Sequence, residues 1–195
     1  MKKLFLAVVV LVMTTQFTNA QEQNKFRVGI DFGYATPQEG GGGASIALEP
    51  KYNIADNMNV GLRIESAAMA RQIGSTEADV SSSFSYTGTF DYYFNSGNSI
   101  FAPFIGAGVG YNSLGKIGGL GSETFGEDNS FAAEEIKVDG KFGGLLRAGF
   151  ELTKFRAAFT YNLIGKTDFV EGSKINNSYF GISFGFYLGG GKWKK

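Results

Sequence analysis

From Phe26 to Leu188 the chain is written largely in a period of two. Such alternation sends successive side chains to opposite faces of a β-strand, and it cannot sit on a helix, whose apolar stripe follows a longer repeat. Eight runs carry it: Phe26–Ala35, Ser45–Tyr52, Met58–Met69, Val80–Phe94, Ile100–Asn112, Lys141–Leu152, Phe155–Ile164 and Tyr179–Leu188. The first sets Phe26, Val28, Ile30, Phe32 and Tyr34 against Arg27, Gly29, Asp31, Gly33 and Ala35. The last sets Phe180, Ile182, Phe184, Phe186 and Leu188 against Gly181, Ser183 and Gly185. The fold class expected is all-β, an eight-stranded antiparallel up-and-down transmembrane β-barrel. Connections at 36–44, 70–79, 113–140 and 165–178 read as long and alternate with short ones at 53–57, 95–99 and 153–154. A barrel with short inner turns and longer outer loops has that asymmetry.

Alternation alone leaves open which face is inside. A soluble, lipocalin-like barrel of eight strands turns its apolar face inward. Bulk decides against it here. The chain has 19 Phe and 9 Tyr, and most of them fall on the apolar face. An eight-stranded interior is just wide enough to be filled by ordinary side chains, so these rings would overfill it. The opposite face carries glycines 29, 33, 61, 106, 108, 110, 143, 149, 181 and 185, which suit a narrow lumen. Rings turned outward into water would form one large apolar patch; a bilayer removes that problem, and closure leaves no sheet edge in lipid. Phe26, Tyr52, Tyr92, Phe94, Phe101, Phe150, Phe155 and Phe186 fall toward the short-turn end, and Tyr34, Tyr86, Tyr111, Phe142, Tyr161 and Phe180 toward the long-loop end. Two such girdles suit two headgroup levels.

The polar face holds Arg27, Lys51, Arg63, Arg147 and Arg156 against Asp31, Glu49, Glu65, Asp91 and Glu151. Charges in a tight interior are costly unless paired, and these ten cancel. They read as an ion path or as a structural network that fills and stiffens the barrel; the second is favoured because eight strands leave no open channel. Arg63 and Glu65 face the same side, and each is expected to find its partner across a neighbouring strand, such as Glu49 or Lys51 on the second or Asp91 on the fourth.

The N-terminus reads as an address. Lys2 and Lys3 precede the apolar run Leu4–Met13, and Thr18-Asn19-Ala20 offers a small-residue cleavage site. This is the pattern of a secretory signal peptide over residues 1–20. The barrel domain is then 21–195, with a short tail at 189–195. With 0 His and 0 Cys, the chain can build no Ser-His-Asp triad, thiol nucleophile or thiolate metal site. Balanced charge gives no basic field for nucleic acid. Gly106-Ala-Gly108-Val-Gly110 has strand spacing, not that of a nucleotide loop. Gly40–Gly43 reads as a loop tip, and Phe131–Ile136 as a short surface helix capped at Asn129-Ser130. Lys192-Trp193-Lys194-Lys195 reads equally as a headgroup contact or a solvated tail. No cofactor, metal site or catalytic residue is expected.

The signal peptide, the strand Phe101-Ala-Pro-Phe-Ile-Gly-Ala-Gly-Val-Gly-Tyr111 and the closing strand Tyr179-Phe-Gly-Ile-Ser-Phe-Gly-Phe-Tyr-Leu188 resemble the small eight-stranded outer-membrane barrels of the OmpA/OmpX type. That resemblance implies a bacterial outer-membrane location, contact with outer-membrane lipid and with the assembly machinery, and a porin-like family setting. Many relatives end at an aromatic residue, whereas here seven residues follow Leu188. The function expected is a non-enzymatic envelope barrel with a structural, surface-contact or adhesion role, its loops 113–140 and 165–178 open to an extracellular ligand. The alternative is a narrow channel or carrier for small hydrophobic or ionic solutes. Removal of the first twenty residues should leave Gln21 as the mature N-terminus; mass spectrometry of native membrane fractions finding Met1 would contradict the signal peptide.

Overall fold

Eight long strands and one short ribbon make up the computed structural model, which describes residues 23–38, 40–73, 77–95, 99–117, 139–168 and 174–190. In chain order the strands are β1 (Phe26–Pro37), β2 (Gly42–Ala55), β3 (Met58–Ile73), β4 (Glu77–Tyr93), β5 (Phe101–Ile117), β6 (Asp139–Leu152), β7 (Phe155–Ile164), the two-residue β8 (Thr167–Asp168) and β9 (Lys174–Ile175), and β10 (Tyr179–Gly189). The long strands close in the order β1-β10-β7-β6-β5-β4-β3-β2, while β8 and β9 pair only with each other. Closure is made by β1 against β10, antiparallel from Arg27↔Gly189 to Pro37↔Tyr179.

The two faces separate as the alternation requires. Phe32, Tyr86, Phe90, Ile105, Phe159, Phe180 and Phe184 are exposed on the outside, and Phe142 reaches 84% exposure. Phe150 also turns outward but is half-buried, its ring 5.3 Å from that of Phe101. The rings therefore meet in no common interior core. They pair instead toward the two ends of the wall. Tyr92–Phe94 at 5.1 Å and Phe155–Phe186 at 5.5 Å lie at the short-turn end, Tyr111–Phe142 at 5.5 Å and Tyr161–Phe180 at 4.5 Å at the loop end.

Loop lengths differ from the sequence expectation. The connections after β1 and β3 shrink to residues 38–41 and 74–76, while 94–100 separates β4 from β5, so long and short connections do not strictly alternate. The cause is that glycine serves two ends here, turning and close strand approach. Gly40 and Gly41 do turn, both with φ of +90°. Gly42 and Gly43 instead lie in β2, opposite Ala70 and Met69. A Cβ on Gly43 would run into the Ala68 backbone carbonyl, so its glycine serves close strand approach. The long connection shortens from 113–140 to 118–138 because β5 and β6 extend into it; that stretch, with the suggested helix over Phe131–Ile136, lies outside the described residues. Loop 165–178 contains the β8–β9 ribbon, which the alternation did not signal. Gly189 belongs to β10, so the tail begins at residue 190; residues 191–195 and the signal segment 1–20 lie outside the described residues.

An apolar belt of this kind is sensitive to charge according to depth. Phe184→Arg, at the middle of β10, should cost about 2–4 kcal/mol in lipid, and Phe142→Arg, at the loop-end girdle, at most about 1 kcal/mol. Denaturant unfolding in lipid vesicles measures both; equal losses at the two positions would contradict a hydrocarbon-facing belt.

Candidate functional site

Seven inward-facing strand positions on four neighbouring strands and three more across the barrel supply the ten charges. Arg27 and Asp31 stand on β1, Glu49 and Lys51 on β2, Arg63 and Glu65 on β3, Asp91 on β4, Arg147 and Glu151 on β6, and Arg156 on β7. All ten are at most 4% exposed. They gather in three groups along the interior.

The central group sets Arg147, Lys51 and Arg156 around Glu49 and Asp91. The Arg147 guanidinium forks onto both carboxylates. Its Nη2 lies 2.7 Å from Glu49 Oε1 and its Nε 2.7 Å from Asp91 Oδ1. Lys51 Nζ donates to Asp91 Oδ2 at 2.5 Å, and Arg156 Nη1 to Glu49 Oε2 at 3.3 Å. Thr89 Oγ1 donates to Glu49 Oε1 at 2.7 Å. On β5 the facing residue is Gly106, where a Cβ would meet Asp91 Oδ1 and Arg147 Nε; glycine there makes room for the fork.

Toward the short-turn end, Arg27 Nη1 lies 2.9 Å from Glu151 Oε2. Tyr93 Oη donates to Glu151 Oε1 at 2.5 Å. The Arg27 guanidinium stacks 4.3 Å from the Tyr187 ring centroid. With its oxygen accepting from Arg27 Nη2 at 2.8 Å, the Asn59 amide donates to Asp91 at 3.2 Å and links this group to the centre. The third group is Arg63 between Asp31 at 2.6 Å and Glu65 at 2.7 Å, with Tyr179 Oη donating to Glu65 at 2.6 Å. Here two acids meet one cation, while the centre has three cations and two acids. Arg63 Nη1 to Glu49 Oε2, at 3.6 Å, joins the two. Neutrality therefore belongs to the whole set rather than to each group.

Of the expected partners Arg63 meets Glu49 of β2, at 3.6 Å, and its closer contacts correct the rest: it bonds Glu65 along its own strand and Asp31 of β1, two strands away. Residues two apart on a strand lie about 6.6 Å apart, which an Arg side chain spans. The sequence reading also passed over Tyr187, Tyr179 and Phe104, which are buried inside. Their signal was parity: Tyr187 is two residues beyond inward Gly185. Two of them lie in apolar clusters toward the two ends of the interior. Tyr93, Ala102, Phe104 and Ala158 cluster at the short-turn end, and Ala35, Ala67, Met69, Ile164 and Tyr179 at the loop end.

Chemically, the arrangement is one of paired ions, although Arg156 Nε and Nη2 are buried without a hydrogen bond. The Glu49 and Asp91 oxygens accept from guanidinium, ammonium or hydroxyl donors. Among the described residues no group of three or more acids is placed to hold a metal ion.

No family model matches the chain, and no curated protein sequence matches it. Among solved structures it is similar to Neisserial surface protein A (NspA), with a TM-score of 0.58 and 17% identity over 84% of this chain and 96% of that one. It is also similar to the outer membrane protein OprG from Pseudomonas aeruginosa, with a TM-score of 0.50 and 13% identity over 87% of this chain and 100% of that one. The chain thus has the fold of the small eight-stranded outer-membrane barrels.

Removing one partner of a buried ion pair leaves the other unpaired, at a cost on the order of 3–5 kcal/mol where the site is dry. Arg63→Ala should destabilise the barrel by about that amount, and Arg63→Ala with Asp31→Ala should recover part of the loss. Urea unfolding of the refolded proteins in detergent measures both; a neutral Arg63→Ala would contradict the buried network.

Proposed function

We propose that the chain is an integral protein of a bacterial outer membrane, exported by the segment 1–20, whose interior is a charge-filled structural plug and whose work is done at its loops. One observation carries this reading: the wall turns its rings outward while ten mutually paired charges lie inside, between apolar clusters at both ends. Outward rings call for lipid. Paired inward charges call for a dry or nearly dry interior, since ions kept for conduction would need to stay hydrated and exchangeable.

The role is non-catalytic and structural, a matter of surface contact or adhesion. Its partners are outer-membrane lipid, the assembly machinery that receives the closing strand, and an extracellular ligand met by residues 118–138 and 165–178. Similarity of fold to a Neisserial surface protein and to an outer membrane protein of Pseudomonas aeruginosa supports placing it in the outer membrane. At the loop end the 165–178 connection is anchored at its base. Ser178 Oγ donates to the Ile164 carbonyl at 3.2 Å, and Gln38 Nε2 donates to Tyr161 Oη at 2.7 Å while its amide oxygen accepts from Asn176. Loops that contact a partner benefit from such a fixed base, because less freedom is lost on binding.

Reconstituted in a planar bilayer, the unmodified mature chain should give no steady conductance steps. Reproducible, ion-selective steps would overturn the plugged interior and favour a narrow channel.

A further inference from the structure

β2 carries a proline well inside a barrel wall. The chain has 3 prolines. Pro37 ends the β1–β10 ladder opposite Tyr179. Pro103 lies where β4 has run out, its carbonyl accepting the Phe94 N–H at 2.8 Å. At such ends a missing N–H removes no ladder bond. Pro50 has β2 residues on both sides, from Gly42 to Glu49 and from Lys51 to Ala55. Prolines in sheets retreat to edges or bulges, and a closed barrel has no edge strand.

The register identifies the neighbour that loses the bond. Toward β1 the pairing runs without a break through Gly29↔Glu49, Val28↔Pro50 and Arg27↔Lys51. Toward β3 it stops at Leu48↔Ile64 and resumes, in the same register, at Lys51↔Gly61. In an antiparallel ladder opposite residues alternate between exchanging both backbone bonds and exchanging none. A gap on the β3 side alone therefore means that the Pro50 nitrogen faces β3, opposite Leu62. The Leu62 carbonyl has no ladder donor there. Leu62 is exposed on the apolar face, so this carbonyl sits in the wall at the depth of the belt, where no water replaces the bond. Among the described pairings, β2–β3 also carries the only register shift, between Asn53 and Ala55. The β3–β4 ladder next to it is continuous from Met58↔Tyr92 to Ile73↔Glu77.

The two residues at the other unbridged position are Glu49 and Arg63, both inside. Arg63 Nη1 lies 3.6 Å from Glu49 Oε2 and 2.6 Å from Asp31 Oδ2 of β1. Side chains thus span the seam where the backbone does not. We propose that the β2–β3 seam at Pro50 is where the barrel wall opens locally, and that the contacts of Arg63 with Glu49 and Asp31 hold it shut from within.

Residue-resolved amide exchange on the mature chain in detergent micelles tests this. Along β3, the amides of Val60, Leu62 and Ile64 face β2, and those of Gly61, Arg63 and Glu65 face β4, so one strand contains its own control. The β2-facing set should exchange about tenfold faster, roughly what one net backbone hydrogen bond is worth. Pro50→Val restores the N–H and should bring the two sets together. Arg63→Ala should widen the difference, whereas Glu151→Gln, on β6 across the ring from the seam, should shift both sets alike; if Arg63→Ala does not refold, Glu49→Gln weakens the Glu49 half of the tie. Equal exchange of the two sets in the unmodified chain, or a difference that Pro50→Val leaves unchanged, would overturn the opening. An Arg63→Ala shift common to both sets would overturn the internal tie.

Discussion

A wall of strands in contact with hydrocarbon must satisfy its backbone sideways, because lipid offers neither donors nor acceptors. Pairing of β1 with β10 meets that demand by joining the ends of the sheet, and the rest of the structure depends on it. Once the ring is closed, each inward side chain faces others across a fixed distance rather than open solvent. The charges can then be held: Glu49 meets Arg147 from across the ring and Arg27 meets Glu151, while Arg63 takes Glu65 on its own strand and Asp31 two strands away. The same closure turns the rings outward, since the interior left by eight strands has no room for them.

The interior is organised by supply and demand of charge along its length. One acid too many in the Arg63 group is balanced by one cation too many in the centre, and Arg63 and Asn59 connect the groups. Tyrosines do the remaining work that a carboxylate cannot do alone. Tyr93 and Tyr179 each place a hydroxyl on an acid, while their rings belong to the apolar clusters toward the two ends. A single residue type thus serves as both hydrogen-bond donor and apolar packing group, as the amphipathic phenol ring allows.

Much of this was legible in the sequence because parity is a local property. Whether Arg147 or Phe150 points inward follows from counting by twos, and the ten inward charges could be named that way. Register and reach are not local. Arg63 bonding Glu65 on its own strand, or Arg147 reaching Glu49 across the barrel, depends on how far each strand is staggered against the next, which no single run records. Turn chemistry misled for a related reason. Gly42 and Gly43 look like a loop tip, yet the Ala68 carbonyl that excludes a side chain there belongs to β3, far along the chain. The ladder gap at Pro50 shows both sides of this: the proline is visible in the sequence, but which neighbour it deprives emerges only from the pairing.

Arg147 and Glu49 have one further property, which comes from where their strands stand in the ring. Going from β2 to β6 takes four steps in either direction around the eight strands, so the two residues sit at opposite ends of a diameter. Their contact is a cross-brace. A thin-walled tube yields most easily by ovalising, since bending the wall needs far less force than stretching it. A tie across the middle resists that mode in one direction, and Arg156 to Glu49, three steps apart, resists it along another. Pressure on the wall would therefore meet a cylinder that resists flattening along those two lines.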